Sequence, residues 1–338
     1  MNFINILNHI LRPLEWVVAQ LLTLFHHALV TFGMTAGPSP AWGIAIMCLV
    51  LVIRICLLPL FLSQMRAMQR IQVLQPQIQR IQHKYAARKD PRSKEAVQRE
   101  IMALQQRYNA NPLGSCLPSL IQAPILCSLF YTLQSLPAIA DGNAEPLDGI
   151  DHTMAGDIES SSIFGVRIAD SFGTVASPQS RIIIGVAVAL MCLTLFAIQW
   201  MLIHRNTSKD AMVSPQFRVQ KMTVFVFPAI YVVSGATLPF GVLLYWLTNN
   251  LWNLGQTLCQ LRWFPTPGSA AGERKARRDY EQDNRRRAAA GLPSLEEERA
   301  MAAREEAKAR REREKSAASR NRKQHKTPHL AKRSIVKR

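Results

Sequence analysis

The sequence predicts an all-α polytopic membrane protein with a five-span core, an outer amphipathic helix and a cytoplasmic helical hairpin. Three observations carry that prediction. Apolar and charged residues are segregated along the 338 residues, so the 48% hydrophobic content averages over stretches of oil and stretches of charge. Five apolar stretches have the length, or nearly the length, to cross a bilayer core: Trp42 to Leu62, Cys116 to Ala138, Ile182 to Ile203, Met222 to Ser234 and Leu238 to Gln260. The connections between them alternate in charge. Residues 63–115 hold ten Lys/Arg against three acids, 139–180 hold seven acids against the single Arg167, 204–221 hold four Lys/Arg against one acid, and 261–338 hold 23 against 11. Basic loops stay in the cytoplasm. The second and fourth regions therefore face opposite sides, and the C-terminus is expected inside.

The elements follow in order. Residues 1–41 contain Leu14, Val17, Val18, Leu21, Phe25, Leu29 and Phe32 at helical spacing. This segment is long enough to span, but Glu15, Gln20, Thr23 and His27 interrupt it, and an amphipathic helix on the outer leaflet fits those interruptions better. The first core span, 42–62, carries one charge, Arg54, near mid-depth. An arginine there costs about 2.5–3.5 kcal/mol on insertion scales. It either snorkels to headgroups or faces a wet cavity inside the protein.

Residues 63–110 are expected to form the hairpin. Met68, Ile71, Leu74, Ile78, Ile81 and Tyr85 are spaced by three or four, Pro76 should bend or break the first arm, and Val97, Ile101, Leu104 and Tyr108 form the second. Arg66, Arg70, Arg80, Lys84 and Arg88 lie among its polar positions. They are either simple topology signals or a docking face for something acidic. The second span, within 111–138, has Ser119 and Gln122 sharing a face in its cytoplasmic half. Residues 139–181 are expected to be a solvated outer loop, with room for a short helix but no sizeable core. The third span, 182–203, brings Gln199 near its inner end, and 204–221 returns to the cytoplasm. Residues 222–260 hold the fourth and fifth spans, joined by a tight hairpin. On the fifth, Tyr245, Thr248, Asn249, Trp252 and Gln256 form a polar and aromatic stripe. Such a stripe reads either as interhelical glue with an interfacial belt or as the wall of a groove. The tail, 261–338, carries a net charge of +12 and is expected to be largely disordered, with a helix stabilised by Glu–Lys/Arg pairs near 295–315.

Function classes fall away on the same residues. No span contains Asp or Glu, which a proton- or cation-coupled carrier ordinarily needs at depth. Walker, zincin and hydrolytic patterns are missing. The six cysteines contain no CxxC and lie in or beside spans. The expectation is therefore a protein that is not an enzyme and holds no cofactor or metal. What remains suits a device that takes polar segments from the cytoplasm and releases apolar ones sideways. The competing readings are a small-solute channel or facilitator, which needs a polar path through both leaflets, and a membrane scaffold that recruits ribosomes through its tail.

Four stretches resemble the YidC family of membrane protein insertases. They are the arginine-bearing span ending in LLPL (Ile53 to Leu60), MQRIQVLQPQIQRIQHKY (Met68 to Tyr85), NPLGSCLPSLIQAPI (Asn111 to Ile125) and FPAIYVVSGATLPFGVLLYWLTNNLW (Phe227 to Trp252). The resemblance covers roughly residues 5–262. It implies a five-span core preceded by an outer surface helix. It also implies that Arg54 lines a hydrated groove open to cytoplasm and lipid but closed outside, with Gln122, Tyr245 and Trp246 near or along the substrate path. Ser119, Gln199, Thr248, Asn249, Trp252 and Gln256 complete the candidate groove. The implied partners are nascent membrane proteins, the Sec translocon, anionic lipids and the translating ribosome through tail and hairpin. The large periplasmic domain and the lipoprotein signal found in other branches are absent, and Ser234 and Gly235 interrupt the fourth span. Those departures point to a plasma-membrane protein of the actinobacterial kind.

Overall fold

A computed structural model describes residues 3–87, 90–110, 117–147, 149–213 and 215–326. The chain forms two compact units, residues 1–273 and 274–338.

In the first unit, α1 (Phe3–Thr31) packs on α2 (Pro40–Cys56) and on α5 (Leu117–Ala140). α3 (Leu58–Lys84) packs on α4 (Pro91–Arg107), and α7 (Pro178–Arg205) on α8 (Pro215–Thr237) and α9 (Phe240–Trp263). α2 runs along α9, which therefore borders two apolar clusters. One joins Val18, Leu22, Trp42, Leu49, Leu133 and Val242 from four helices. The other joins Ile184 and Met191 of α7 to Phe240 and Leu243 of α9.

By length and composition, four helical stretches among the described residues can cross a membrane: Leu11–Thr31, Ile121–Ala140, Pro178–Arg205 and Phe217–Thr237. The bent pair α2–α3 supplies a fifth. The molecule is thus an all-α polytopic membrane protein with four or five apolar spans. α9 falls short of the same apolar standard, because Thr248, Asn249, Asn250, Asn253 and Gln256 dilute its second half. The short apolar stretch at Met222 to Ser234 gains its length from Phe217 to Lys221, which α8 includes.

The single straight span expected over 42–62 is corrected. The helix stops at Cys56 and restarts at Leu58 with a 53° bend. Pro59 explains it: the ring has no N–H to donate and clashes with the carbonyl four residues back, at Ile55. Pro76 does not break its helix. α3 runs through it unbroken, and Leu74 and Ile78 on either side are held by Ile101, Leu104 and Ala110. The second arm starts where Asp90 accepts from Ser93 N at 2.9 Å and Pro91 fills the first turn, so both local signals favour a new helix.

The expectation of a solvated loop between α5 and α7 is also corrected. α6 (His152–Ser160) and a two-residue hairpin, β1 (Ser162–Ile163) with β2 (Val166–Arg167), fold onto the helices. Ile150, Ala155, Ile158, Val166 and Ile168 are buried, although no long apolar run in the sequence contains them. The fit is close. A Cβ added at Gly43 of α2 would lie 2.0 Å from Ile163 Cδ1, and one at Gly241 of α9 would lie 2.7 Å from Ile168 Cγ2. The carbonyls of Asp170 and Ile168 accept from the N–H groups of Phe240 and Gly241 at 2.7 and 2.9 Å. Those are first-turn donors that α9 cannot satisfy itself.

In the second unit, where one helix near 295–315 was expected in a largely disordered tail, helix extends over more of the described residues. α10 (Ala270–Ala289) leads into it, and α11 (Leu295–Lys326) follows a short turn. Arg287 pairs with Glu298, and Asn284 Oδ1 accepts from Leu295 N at 3.0 Å across that turn. Pairs four residues apart, Lys275–Asp279, Arg277–Glu281 and Arg310–Glu314, supply local support. The Ala-rich, Pro-free run from 295 to 326 adds intrinsic propensity.

Candidate functional site

Arg54 lies on the last turn of α2, immediately before the bend. Its guanidinium reaches α9, where Nε donates to Asn249 Oδ1 at 2.8 Å and a second nitrogen, Nη2, donates to the same oxygen. The partner is a neutral amide, so the positive charge is anchored without being cancelled. Below it opens a cavity of about 400 Å³ between α2–α3, α5 and α9. Arg54, Gln64, Gln122, Asn253 and Gln256 supply its polar wall, and Leu57, Phe61 and Leu126 its apolar wall. None of the lining residues is acidic.

The other end is shut. Gln122 Nε2 donates to the phenol oxygen of Tyr245, which is 2% exposed. Beyond that pair, the buried Leu129, Leu133 and Val242 fill the space toward the α5–α7 connection. A polar entrance that ends in packed hydrocarbon is a pocket, not a pore.

Of the residues singled out in the sequence, Arg54, Gln122 and Gln256 line this cavity, and Asn249 and Tyr245 hold two of them. Others do not meet it. Thr248 is buried and donates back to Leu244 O at 2.8 Å. Trp246 stacks on Tyr231 of α8, with centroids 5.1 Å apart, and packs against both apolar clusters. Trp252 faces a separate apolar wedge between α3 and α9. Gln199 is half-buried on α7 and is not among the lining residues. The side chain of Ser119 and all of Arg88 lie outside the described residues.

The basic residues of the α3–α4 pair also separate. Arg66 and Arg70 flank a hollow with Tyr108 near the start of α3, Arg80 is exposed, and Lys84 at the far end bonds Glu100 at 2.7 Å. Tyr85 donates to the same carboxylate. The two bonds hold the Glu100 carboxyl below the usual carboxylate range, and the Lys84 ammonium sits above its ordinary value chiefly through Glu100.

Two polar lining residues escaped the sequence reading. Asn253 stands one turn past Asn249 on the same face, so the spacing could have found it. Gln64 could not have been found, because the bend decides which face of α3 meets the cavity. Asn250, read only as part of a polar run, is 2% exposed; it accepts from Tyr231 Oη at 3.4 Å and donates to Met191 O at 3.5 Å. It ties α7, α8 and α9 together.

Residues 34–266, which contain the cavity and both apolar clusters apart from the α1 members of the first, match the family described as 60Kd inner membrane protein. The chain is 43% identical over 306 residues to the membrane protein insertase YidC of Bifidobacterium longum, covering 90% of each. The chain belongs to the YidC family. It is 34% identical over 276 residues to the Streptomyces avermitilis member, covering 79% of this chain and 61% of that one. The corresponding figure is 31% over 284 residues for the Tropheryma whipplei member, with 81% and 90% covered. Membership makes this a multi-pass protein of a bacterial membrane. It also places Arg54 and its cavity within the part that the YidC family shares, while α10 and α11 lie wholly beyond the residues that the family description matches.

Proposed function

We propose that this chain works as a membrane protein insertase and chaperone, using the Arg54 cavity as a half-membrane vestibule. The observation that carries this reading is the fixed, uncancelled guanidinium at the head of a polar pocket whose far end is packed shut. A nascent chain reaches the α3–α4 pair, and its short hydrophilic flank enters the cavity from the cytoplasm. Arg54 attracts acidic residues of that flank, and the water-accessible wall shortens the apolar distance left to cross. The apolar segment then partitions into lipid, driven by roughly 25 cal/mol per Å² of buried apolar surface. The membrane potential assists acidic flanks by about 2.3 kcal/mol per charge per 100 mV. No bond is made or broken.

The same reading places α9 across the membrane and the C-terminus in the cytoplasm. It lays α1 on the outer face. In support, His26 stacks on Trp42 at the first turn of α2 with centroids 3.8 Å apart, and Gln20 lies against Gly149 of the α5–α7 connection. α1 thus meets the outer ends of its neighbours. The proposed partners are nascent membrane proteins, the Sec translocon, anionic lipids and ribosomes, the last drawn by the basic tail and by Arg80 and Lys84.

The test is insertion into liposomes by the purified protein, with Arg, Lys or Leu at position 54 and substrates bearing acidic or neutral flanks. Arg54→Leu should depress insertion of the acidic-flanked substrate by about tenfold, the effect of about 1.4 kcal/mol on the limiting step. Arg54→Lys should retain most of it, and neutral flanks should respond less. Equal yields from all three proteins on the acidic substrate would reduce Arg54 to a snorkelling side chain.

A further inference from the structure

After the 53° bend, α3 leaves the flank of α9 along which α2 packs, and the divergence opens a wedge of about 430 Å³. Its walls are hydrocarbon: Leu58, Leu62 and Met65 on α3 face Leu251, Gly255 and Cys259 on α9. Gln69 closes the far end, its Nε2 donating to the backbone carbonyl of Phe264. Gln69 also belongs to the neighbouring hollow of about 300 Å³, whose polar wall includes Arg66, Arg70 and Tyr108. The basic hollow and the apolar wedge are therefore neighbours, joined by the bond from Gln69 of the one to Phe264 of the other.

The charge in that hollow is available. Among the described residues no carboxylate pairs with Arg66 or Arg70, and Arg70 spends one nitrogen on the carbonyl of Asn109 at 3.1 Å. The acids of the α3–α4 pair are engaged elsewhere: Glu95 with Arg99, Glu100 with Lys84, and Asp90 as the cap of α4. Size decides what the wedge can hold. A helix of 10–12 Å diameter running the twelve residues from Leu58 to Gln69 would need on the order of 1,500 Å³. The wedge has less than a third of that, which suits an acyl chain.

We propose that the α3–α9 wedge holds one acyl chain of an anionic phospholipid whose phosphate is bound by Arg66 and Arg70. The lipid fills the gap left by the bend and seals the cytoplasmic half of the cavity wall at Gln256, which lines both spaces. Two guanidiniums and a phenol are donors that a phosphodiester accepts from, and a zwitterionic headgroup gains less from them because its own cation opposes the site.

Native mass spectrometry tests this on the full-length protein in detergent, equilibrated with equimolar phosphatidylglycerol and phosphatidylcholine. One phosphatidylglycerol should be retained per chain in preference to phosphatidylcholine. Arg66→Gln combined with Arg70→Gln should lower that retention by about tenfold. Gly255→Leu should lose the lipid with both arginines intact, since nothing lies within 4 Å of a Cβ added there and the new side chain enters the wedge. Leucine is also a better helix former than glycine, so this variant folds. Equal retention of the two lipids by the unaltered protein would overturn the proposal. So would phosphatidylglycerol retention that survives Gly255→Leu, which would mean that the arginines attract headgroups without a seated chain.

Discussion

Asn249 decides what Arg54 can do. Its amide oxygen takes two guanidinium donors, which holds the arginine in one place, and it carries no charge to cancel the field. Two substitutions separate those roles. Asn249→Leu removes an acceptor from a charged donor and should cost about 1.5–3 kcal/mol of stability. Asn249→Asp should keep or raise stability by pairing with Arg54, yet depress insertion of acidic-flanked substrates as far as Arg54→Leu does. Thermal unfolding beside the liposome assay checks both. If Asn249→Asp folds well and inserts acidic flanks normally, the cavity does not work by charge. At this scale much was legible in the sequence. Arg54 announced itself as a lone charge among 21 apolar residues, and Asn249 and Gln256 by their helical register. Trp246 and Thr248 share that neighbourhood in sequence, but they turn to Tyr231 and to the Leu244 carbonyl, because helical register assigns a side and not a depth.

Among the elements, the bend between α2 and α3 matters most. It ends one helix beneath Arg54, swings Gln64 and Phe61 into the cavity, and opens the wedge beside α9. Pro59 was visible, but the 21-residue run around it matches a bilayer thickness so well that length favoured one straight helix. The buried α5–α7 connection was illegible for a related reason. No long apolar run contains its core residues, and their partners are distant helices. At the far end of the α3–α4 pair, Lys84 and Tyr85 clip Glu100, and this exposed contact should make the tip sensitive to pH. The Glu100 carboxyl is depressed in the fold, so its contribution is present above the unfolded value of about 4.3 and is lost as pH falls through the lower folded value. Lys84 is raised, so its share is full below about 10.4 and is lost only as pH rises through the higher folded value. Hydrogen exchange over residues 80–84 and 91–100 should therefore be flat between these limits and quicken on acidification. Glu100→Gln should exchange faster at neutral pH and lose the acid step; an acid step unchanged in that variant would assign it to another group.

The Arg54 cavity of the first unit is open at one end and shut at the other. The Arg54 cavity ends at Gln122 and Tyr245; beyond it, Leu129, Leu133 and Val242 merge with the packed α5–α7 connection, where Ile163 fits the space left by Gly43 and Ile168 that left by Gly241. Sequence carried the polytopic class, through segregated charge, and the family through four local stretches. It did not carry the closure, which depends on contacts between residues seventy or more positions apart, nor α10 of the tail, although it did mark the helix near 295–315. The central claim is that the cavity is wet from the cytoplasm and sealed from outside. The most direct measurement is thiol labelling in a cysteine-free background with Asn253→Cys in the cavity and Leu133→Cys beyond its closed end, the membrane-impermeant reagent being added to right-side-out or inverted vesicles. The account predicts that position 253 reacts in inverted vesicles alone and that position 133 reacts in neither. Labelling of position 253 from outside, or its failure to react from either side, would contradict it.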